Sequence, residues 1–388
     1  MDKDRKRQMK KIILLLETSR AFGRDLIMGI VRYSKLNCSW SFYKEPIDLK
    51  SSIPNLKNWK PDGIIMRDTM ITKDLLKLKV PTIFAPHFIC CPKNIPLIIT
   101  DSYSIAKTAS RHFIEKGFKN LAYCGYDGIV WSEERKLHFN HFNSESGYKT
   151  HNYVPSKKIK HDDWEKEQHH MYTWIKELPK PIGIFACNDD RGQHILELCK
   201  LLDLKVPEDI AVLGVDNDPM VCEFGDPPLS SIALNTESAG FEAAKLLDAM
   251  MNSGNKISNK QIVVTSSHVV QRQSSDILAV SDEDVRIAIK YIKENANDKI
   301  VVKDVVEAVG ISRKLLQKKF NETINRSIYS EIQQVRVEYI SKMLVETNLS
   351  ISQITSLFNF TDAEHISRFF KKEKGIGMRE FRKIHKPH

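Results

Sequence analysis

The sequence predicts a two-lobed, doubly wound α/β body followed by an all-α domain with two helix-turn-helix units. Three observations carry that reading. Up to about residue 275, short apolar runs alternate with amphipathic stretches. Beyond that point no run has strand character, and short helical patterns follow one another closely. Within this last part, one helix-turn-helix pattern recurs 49 residues after its first appearance.

The predicted strands are Ile12–Leu16, Trp40–Tyr43, Gly63–Met66, Thr82–Ala85, Leu97–Thr100, Leu121–Cys124, Ile182–Ala186 and Ile210–Val215. They are continuous rather than alternating in hydrophobicity, as strands buried on both faces of a parallel sheet must be. Helical spacing covers Asp25–Tyr33, Ser104–Lys116, Glu133–Phe142, Glu165–Leu178, Arg191–Leu202 and Ser238–Met251. Strand alternating with helix gives a doubly wound sheet, and the length suffices for two lobes. Gln271 to Val280 reads as the linker, so the expected organisation is a basic tail over 1–10, a body over 11–275 and a helical domain over 276–388.

The helical part is read from its caps and apolar faces. Ser281 with Asp284 forms a capping box before Val285, Ala288, Ile289 and Ile292. Val302, Val305 and Val309 open one short helix; Ile351, Ile354 and Phe358 open its repeat. Each is followed by a turn and a second helix sharing an apolar–x–basic–x–Phe core: Leu316, Lys318, Phe320, then Ile366, Arg368, Phe370. Ser312 caps the first of these helices, while Thr361 with Glu364 and Ser350 with Gln353 make capping boxes for two others. A longer helix between the units carries Ile328, Ile332, Val335, Tyr339 and Met343 on one face.

Charge placement supports a division of labour. The net charge of +10 sits at the ends: residues 1–11 hold six Lys/Arg against two Asp, and residues 300–388 hold sixteen against ten acidic residues. A neutral body with a basic helical domain suits a sensor joined to a nucleic-acid binder. The longest aliphatic run, Ile12 to Leu16, is far below the roughly 20 residues that span a bilayer, and no signal-peptide pattern follows the basic start. Seven cysteines, with no C-x-x-C pair, fit reduced thiols. The expectation is therefore a cytoplasmic protein with no membrane partner.

Residues 281–385 resemble the AraC/XylS-type DNA-binding domain. The match rests on Ile351-x-x-Ile354, Phe360-x-Asp362, Arg368-Phe369-Phe370-Lys371-Lys372, Gly375 and Phe381-Arg382, with Arg336 in the central helix. Two positions depart from the family: Asn359 stands in place of the turn Gly, and Met378 in place of a Pro after the Gly375 loop. Asn tolerates the left-handed conformation such a turn needs. The resemblance implies double-stranded operator DNA as partner, with both second helices in major grooves. Arg313, Lys314, Gln317 and Lys318 would then face bases in the first unit, and Ala363, Glu364, Ser367 and Arg368 in the second. Lys319, Lys371, Lys372 and Lys374 would meet phosphates, which set affinity but carry no sequence information. The competing reading of each charged position is a solvated helix face.

The body offers four clusters at strand ends, where open α/β sheets place their ligands. They are Ser19 to Arg24, Cys124 to Tyr126 with Trp131 to Arg135, Cys187 to Asp190, and Gly214 to Asp218. Aromatic faces beside Asn, Asp and Arg suit a carbohydrate, since ionised groups give the stronger hydrogen bonds. Residues 11–275 resemble the type I periplasmic-binding-protein fold of LacI/GalR-type effector domains, through Asn188-Asp189, Gly214-x-Asp216 and a lobe crossover at Pro228 to Ile232. The resemblance implies that Phe22, Arg135, Asn188 and Asp216 touch a sugar, with Trp131, Arg20, Arg24, Asp190 and Asn217 as further candidates. The structural alternative is that Asn188 only caps the helix after its strand and that Asp218-Pro219 only forms a turn.

This body on this tail resembles pentose-responsive transcription activators, which share Ser19 to Arg24 with Gly29-Ile30, and Gly310 to Arg313. The resemblance implies a small sugar effector (a pentose, D-xylose favoured), a homodimer, and contact with RNA polymerase. Sugar closure of the lobes would reorient the dimer on its operator. Another sugar, or repression, is the alternative. No P-loop, dinucleotide or nucleophile-elbow motif is present, so no enzymatic activity and no cofactor are expected, and a sugar- or nucleoside-processing enzyme is the distant alternative. The stretch His161 to His170 scatters its candidate ligands around a helix, so no metal site is expected either.

Overall fold

The structure, a computed structural model, describes residues 9–44, 59–68, 75–87, 94–155, 164–253, 260–276, 282–324 and 326–385. The chain forms two units, Met1–Ile277 and Leu278–His388. The first is built from β1 (Lys10–Leu15), α1 (Ala21–Asn37), β2 (Trp40–Lys44), β3 (Gly63–Arg67), β4 (Thr82–Ala85), β5 (Leu97–Thr100), α2 (Ser102–Glu115), β6 (Asn120–Cys124), α3 (Val130–Glu145), β7 (Thr150–Asn152), α4 (Trp164–Glu177), β8 (Ile182–Ala186), α5 (Asp189–Leu201), β9 (Ile210–Val215), α6 (Pro219–Phe224), β10 (Ser230–Leu234), α7 (Thr236–Ser253), β11 (Gln261–Val264) and β12 (Ser266–Val270). Two six-stranded sheets result, ordered β11-β5-β4-β3-β1-β2 and β12-β10-β9-β8-β6-β7. All pairings are parallel except β10 with β12.

The continuous apolar strands are buried on both faces, as their pattern requires. Ile12 and Leu14 of β1 pack into one cluster with Leu26, Ile30 and Leu247, while Ile13 and Leu15 face Ile64, Met66 and Phe84. Helices α1 and α7 touch through two glycines. A Cβ on Gly29 would lie 1.9 Å from the Glu237 carbonyl oxygen, and one on Gly240 would lie 2.2 Å from that of Leu26. Only glycine permits that approach of two helix backbones.

The chain passes between the lobes three times, after β5, β10 and β11. These crossings are bonded together: the Asp101 N–H to the Val264 carbonyl (2.8 Å), and the Asn235 N–H to the Thr265 carbonyl (3.0 Å). The crossing expected at Pro228 to Ile232 therefore falls later. Ser230–Leu234 is a core strand of the second sheet, and the crossing begins at Asn235. That strand eludes a hydrophobicity reading because it opens with two buried serines whose hydroxyls are hydrogen-bonded. β7, β11 and β12 elude it as well, being short or half-exposed edge strands. The expected linker also starts too early. Gln273–Ser275 is a 3₁₀ turn with Ser274 and Ser275 fully buried in the second lobe.

The second unit contains α8 (Glu283–Glu294), α9 (Val302–Val309), α10 (Arg313–Ile324), α11 (Ile328–Glu346), α12 (Ile351–Leu357), α13 (Ala363–Lys374) and α14 (Met378–His385). Its two cores repeat one another: Val305, Leu316 and Phe320 in the first, Ile354, Ile366 and Phe370 in the second. Helix α11 serves both. Ile328, Ile332 and Val335 enter the first core, Val337, Ile340 and Leu344 the second, and Tyr339 packs on each. Ser350 and Gln353 form the expected reciprocal cap, and Ser312 Oγ accepts from the Leu315 N–H. Two caps differ by one residue. Asp362, not Thr361, caps α13 through the His365 N–H (2.7 Å), and Asp282 caps α8. An adjacent carboxylate is the stronger acceptor, and Ser281 lies outside the described residues.

Candidate functional sites in the cleft and on the helical face

The strand ends of both sheets meet around a cavity of about 410 Å³ between the lobes. Six of the sequence-predicted residues line it: Arg20 and Phe22 at the start of α1, Trp131 and Arg135 on α3, Asn188 after β8, and Asp216 after β9. Arg67, His87, Glu134 and Gln261 line it too. Sequence reasoning missed Arg67, His87 and Gln261 because β3 and β4 were read only as core strands, and β11 not at all; Glu134 fell within the Trp131 to Arg135 cluster without being singled out. A signal was available for Arg67, a lone charge ending the apolar run Gly63–Met66.

The aromatic walls are backed by guanidinium groups. Arg135 lies 4.9 Å from the Trp131 ring centroid and Arg67 lies 5.8 Å from that of Phe22. Arg135 is anchored, since its Nη1 donates to the Cys187 carbonyl. Asn188 caps α5, its Oδ1 accepting from the Arg191 N–H (3.0 Å), and it also lines the cavity.

A polar network spans the cleft. Arg67 pairs with Glu17 (2.8 Å) and donates to His87 Nδ1 (2.7 Å), which also accepts from Trp131 Nε1 across the lobes (3.1 Å). A ring nitrogen accepting two N–H groups carries no proton, so His87 is the neutral Nε2–H tautomer. Its pKa agrees, pushed down to about 4 by burial and then by Arg67. Burial opposes the Glu17 charge, but Ser19, Arg20 and Arg67 outweigh it and hold its pKa below the usual value.

Asp216 behaves differently. Its side chain makes no hydrogen bond to a described residue, its backbone sits at φ 101°, and burial pushes its pKa up to about 6 against the pull of Arg135 and Arg67. A non-glycine residue there costs on the order of 1–3 kcal/mol and persists where the surroundings enforce it. The result is a carboxylate held toward the cavity with its acceptor capacity unspent, suited to hydroxyl donors.

Three predicted residues lie off the cavity. Arg24 bonds the Thr18 and Ser19 carbonyls and pairs with Asp218 (2.7 Å) in the other lobe. Asp190 pairs across the cleft with Arg20 and accepts from Asn188. Asn217 turns away and accepts from Arg272 Nη1 (2.9 Å). In the His161 to His170 stretch, Glu167 pairs with Arg191 (2.8 Å), and His161 to Asp163 lie outside the described residues.

On the helical unit, Arg313, Lys314, Lys318, Ala363, Glu364, Arg368, Lys371 and Lys372 are all exposed on α10 and α13. Gln317 and Ser367 are half-buried and engaged. The Gln317 amide donates to Asn321 and accepts from the Ile328 N–H; the Ser367 hydroxyl donates to the Ala363 carbonyl (2.6 Å). Lys319 is tied to Asp282 (2.9 Å) and Asp284, so it pins α10 to α8 instead of reaching outward. Both turns have the left-handed residue a tight turn needs, Gly310 (φ 78°) and Asn359 (φ 52°). Arg336 Nη2 donates to the Phe358 carbonyl (2.5 Å) and stacks 4.6 Å from the Phe360 ring, fixing the second turn to α11.

A two-lobed body with a polar and aromatic cleft, carried on a doubled helix-turn-helix, is a ligand-sensing transcription regulator that binds DNA. Comparison with known proteins makes this particular. Residues 11–98 match the XylR N-terminal domain, 110–275 a periplasmic binding protein-like domain and 305–384 a helix-turn-helix domain. The xylose operon regulatory protein of Escherichia coli K12 is 30% identical over 96% of this chain and 97% of its own. That of Haemophilus influenzae is 29% identical over 97% and 98%. The solved structure of the xylose-binding transcription activator XylR superposes with a TM-score of 0.64 at 27% identity, covering 98% of this chain and all of that one. A ribose-bound LacI-family regulator from Enterococcus faecalis shares the sensor fold at 20% identity and a TM-score of 0.52. The chain belongs to the xylose operon regulatory protein family. Among its described residues no helix is long and apolar enough to cross a membrane.

Proposed function

We propose that the chain binds D-xylose in the cleft and activates xylose-utilisation genes in response. The observation that carries this is the unspent Asp216 carboxylate facing a cavity walled by Phe22 and Trp131. Asp216 accepts from sugar hydroxyls, Asn188 donates to them, the two aromatics cover ring faces, and Arg20, Arg67 and Arg135 donate. Arg67 and Trp131 fix the tautomer of His87, which in accepting from both holds this wall in position. Similarity to the xylose operon regulatory proteins and to the xylose-binding activator XylR supports the choice of D-xylose.

On the helical unit, Arg313, Lys314 and Lys318 meet bases in one major groove, and Ala363, Glu364 and Arg368 in the next, with Lys371 and Lys372 on phosphates. Gln317 and Ser367 serve the fold first, because their hydrogen-bonding groups are already occupied. The active form is a homodimer that places four helix-turn-helix units on the operator and contacts RNA polymerase. Sugar changes DNA binding only through a higher affinity for one lobe arrangement.

Calorimetric titration of the full chain with D-xylose, L-arabinose, D-ribose and D-glucose tests the reading. D-xylose binds, and at 100 times its Kd it stabilises the sensor by about 2.7 kcal/mol. Absence of heat and of any melting shift with D-xylose refutes it.

A further inference from the structure

We infer that Arg272 is the positioning residue through which the sugar cleft acts on the exit of the chain toward the DNA-binding unit. The inference rests on Asp216 being a sugar ligand, as proposed above. Arg272 follows β12 and is largely buried, with its side chain 16% exposed. Its guanidinium joins three segments. Nη1 donates to Asn217 Oδ1 (2.9 Å) and to the Leu229 carbonyl (3.1 Å), and Nε pairs with Glu223 (2.9 Å).

Asn217 directly follows the cleft carboxylate. Residues 216 and 217 both hold left-handed backbone, at φ 101° and 50°, so the pair occupies a conformation that its surroundings must enforce. The Asn217 N–H is held by Ser231 Oγ (2.9 Å), and its side chain is held by Arg272. Any change at Asp216 on engaging a hydroxyl therefore meets Arg272 one residue away.

The backbone of Arg272 is equally committed. Ser230 Oγ accepts from the Arg272 N–H and donates to its carbonyl, both at 2.8 Å. Two residues on, Ser274 Oγ donates to the Val212 carbonyl (2.7 Å) and accepts from the Ser230 N–H (2.8 Å). Ser275 Oγ bonds half-buried His112 (2.9 Å). The chain then leaves the first unit at Ile277. One arginine thus holds both the loop that presents the sugar ligand and the root of the connection to the helical unit.

The test separates coupling from binding. Full-length wild type, Arg272→Ala, Arg272→Lys and Asn217→Ala are titrated with D-xylose. Each is also titrated, with and without D-xylose, with an operator duplex selected by the wild type from a random pool. Sugar affinity stays within about threefold, while the sugar-dependent change in DNA affinity collapses from the 5- to 150-fold range typical of coupled sites to about one. The Lys variant, which keeps the charge but loses the fork, falls between. Asn217→Ala removes the key bond while leaving the Arg272–Glu223 pair, and covers the case in which Arg272→Ala does not fold. Retention of the wild-type sugar effect on DNA in Asn217→Ala and the Arg272 variants overturns the coupling role. So does a parallel loss of melting temperature and both affinities with an unchanged ratio. A wild type that does not bind D-xylose overturns the sugar reading, and the coupling with it.

Discussion

The two units solve opposite problems. In the sensor, the functional side chains are drawn inward and lose water, so they pair with each other, stack on rings or shift in pKa, as His87 and Asp216 do. On the helical unit, Arg313, Lys314, Arg368, Lys371 and Lys372 stay in solvent. A concave site advertises itself through desolvation. A DNA-binding face has to be found from the frame beneath it, here the repeated Leu316–Phe320 and Ile366–Phe370 cores.

The largest effect that could break this comparison lies in that frame. Phe370→Ala empties a fully buried ring position and costs about 3–5 kcal/mol. Calorimetry of the full chain is expected to show the helical unit melting early, with operator binding lost and D-xylose titration unchanged. Equal loss in both units would mean they do not fold independently.

Next is the inward carboxylate. Asp216→Asn removes charge-assisted bonds of about 1.5–3 kcal/mol, roughly a 10- to 150-fold loss of sugar affinity with the fold intact. Acidification gives a sharper version. With its pKa near 6, Asp216 is about nine-tenths protonated at pH 5, so sugar affinity falls about tenfold between pH 7 and 5. Stability behaves otherwise. Because its folded pKa is raised from 3.8, the Asp216 contribution is full below that value and is lost as pH rises through 6. His87, depressed from 6.5 to about 4, contributes stability that is full above 6.5 and lost as pH falls toward 4. The two oppose, so melting is expected to change less across this range than sugar affinity does.

The exposed face should respond by chemistry, not by stability. Arg368→Ala is expected to cost about 1–3 kcal/mol on the preferred operator and to relax choice at one base position. Lys371→Ala should weaken all sequences alike and lower the salt slope by about one. If Lys371→Ala also altered base preference, its assignment to phosphate would fail. The smallest effect is at the second turn. Asn359→Gly relieves a left-handed backbone and is expected to raise the helical unit's stability by less than about 1 kcal/mol, read as a small melting shift with operator choice unchanged.

The alternation of strand and helix, the doubled helix-turn-helix and the strand-end clusters were legible in the sequence, and within those clusters the family resemblance pointed to six of the residues that line the cleft. These are local quantities: apolar period, cap chemistry, and side chains placed at strand ends. Tertiary structure decided which strand-end residues face the cavity. Asp216 and Asn217 are neighbours in sequence, yet left-handed backbone leaves one lining the cleft while the other turns to Arg272. It also brought in Arg67 and His87, revealed Ser230–Leu234 as a strand, and bound Lys319 to Asp282 and Asp284. The reason is physical. Periodicity reports what one segment buries, whereas a site is made where segments far apart in sequence converge, and that convergence is set by sheet order and by the crossings between lobes.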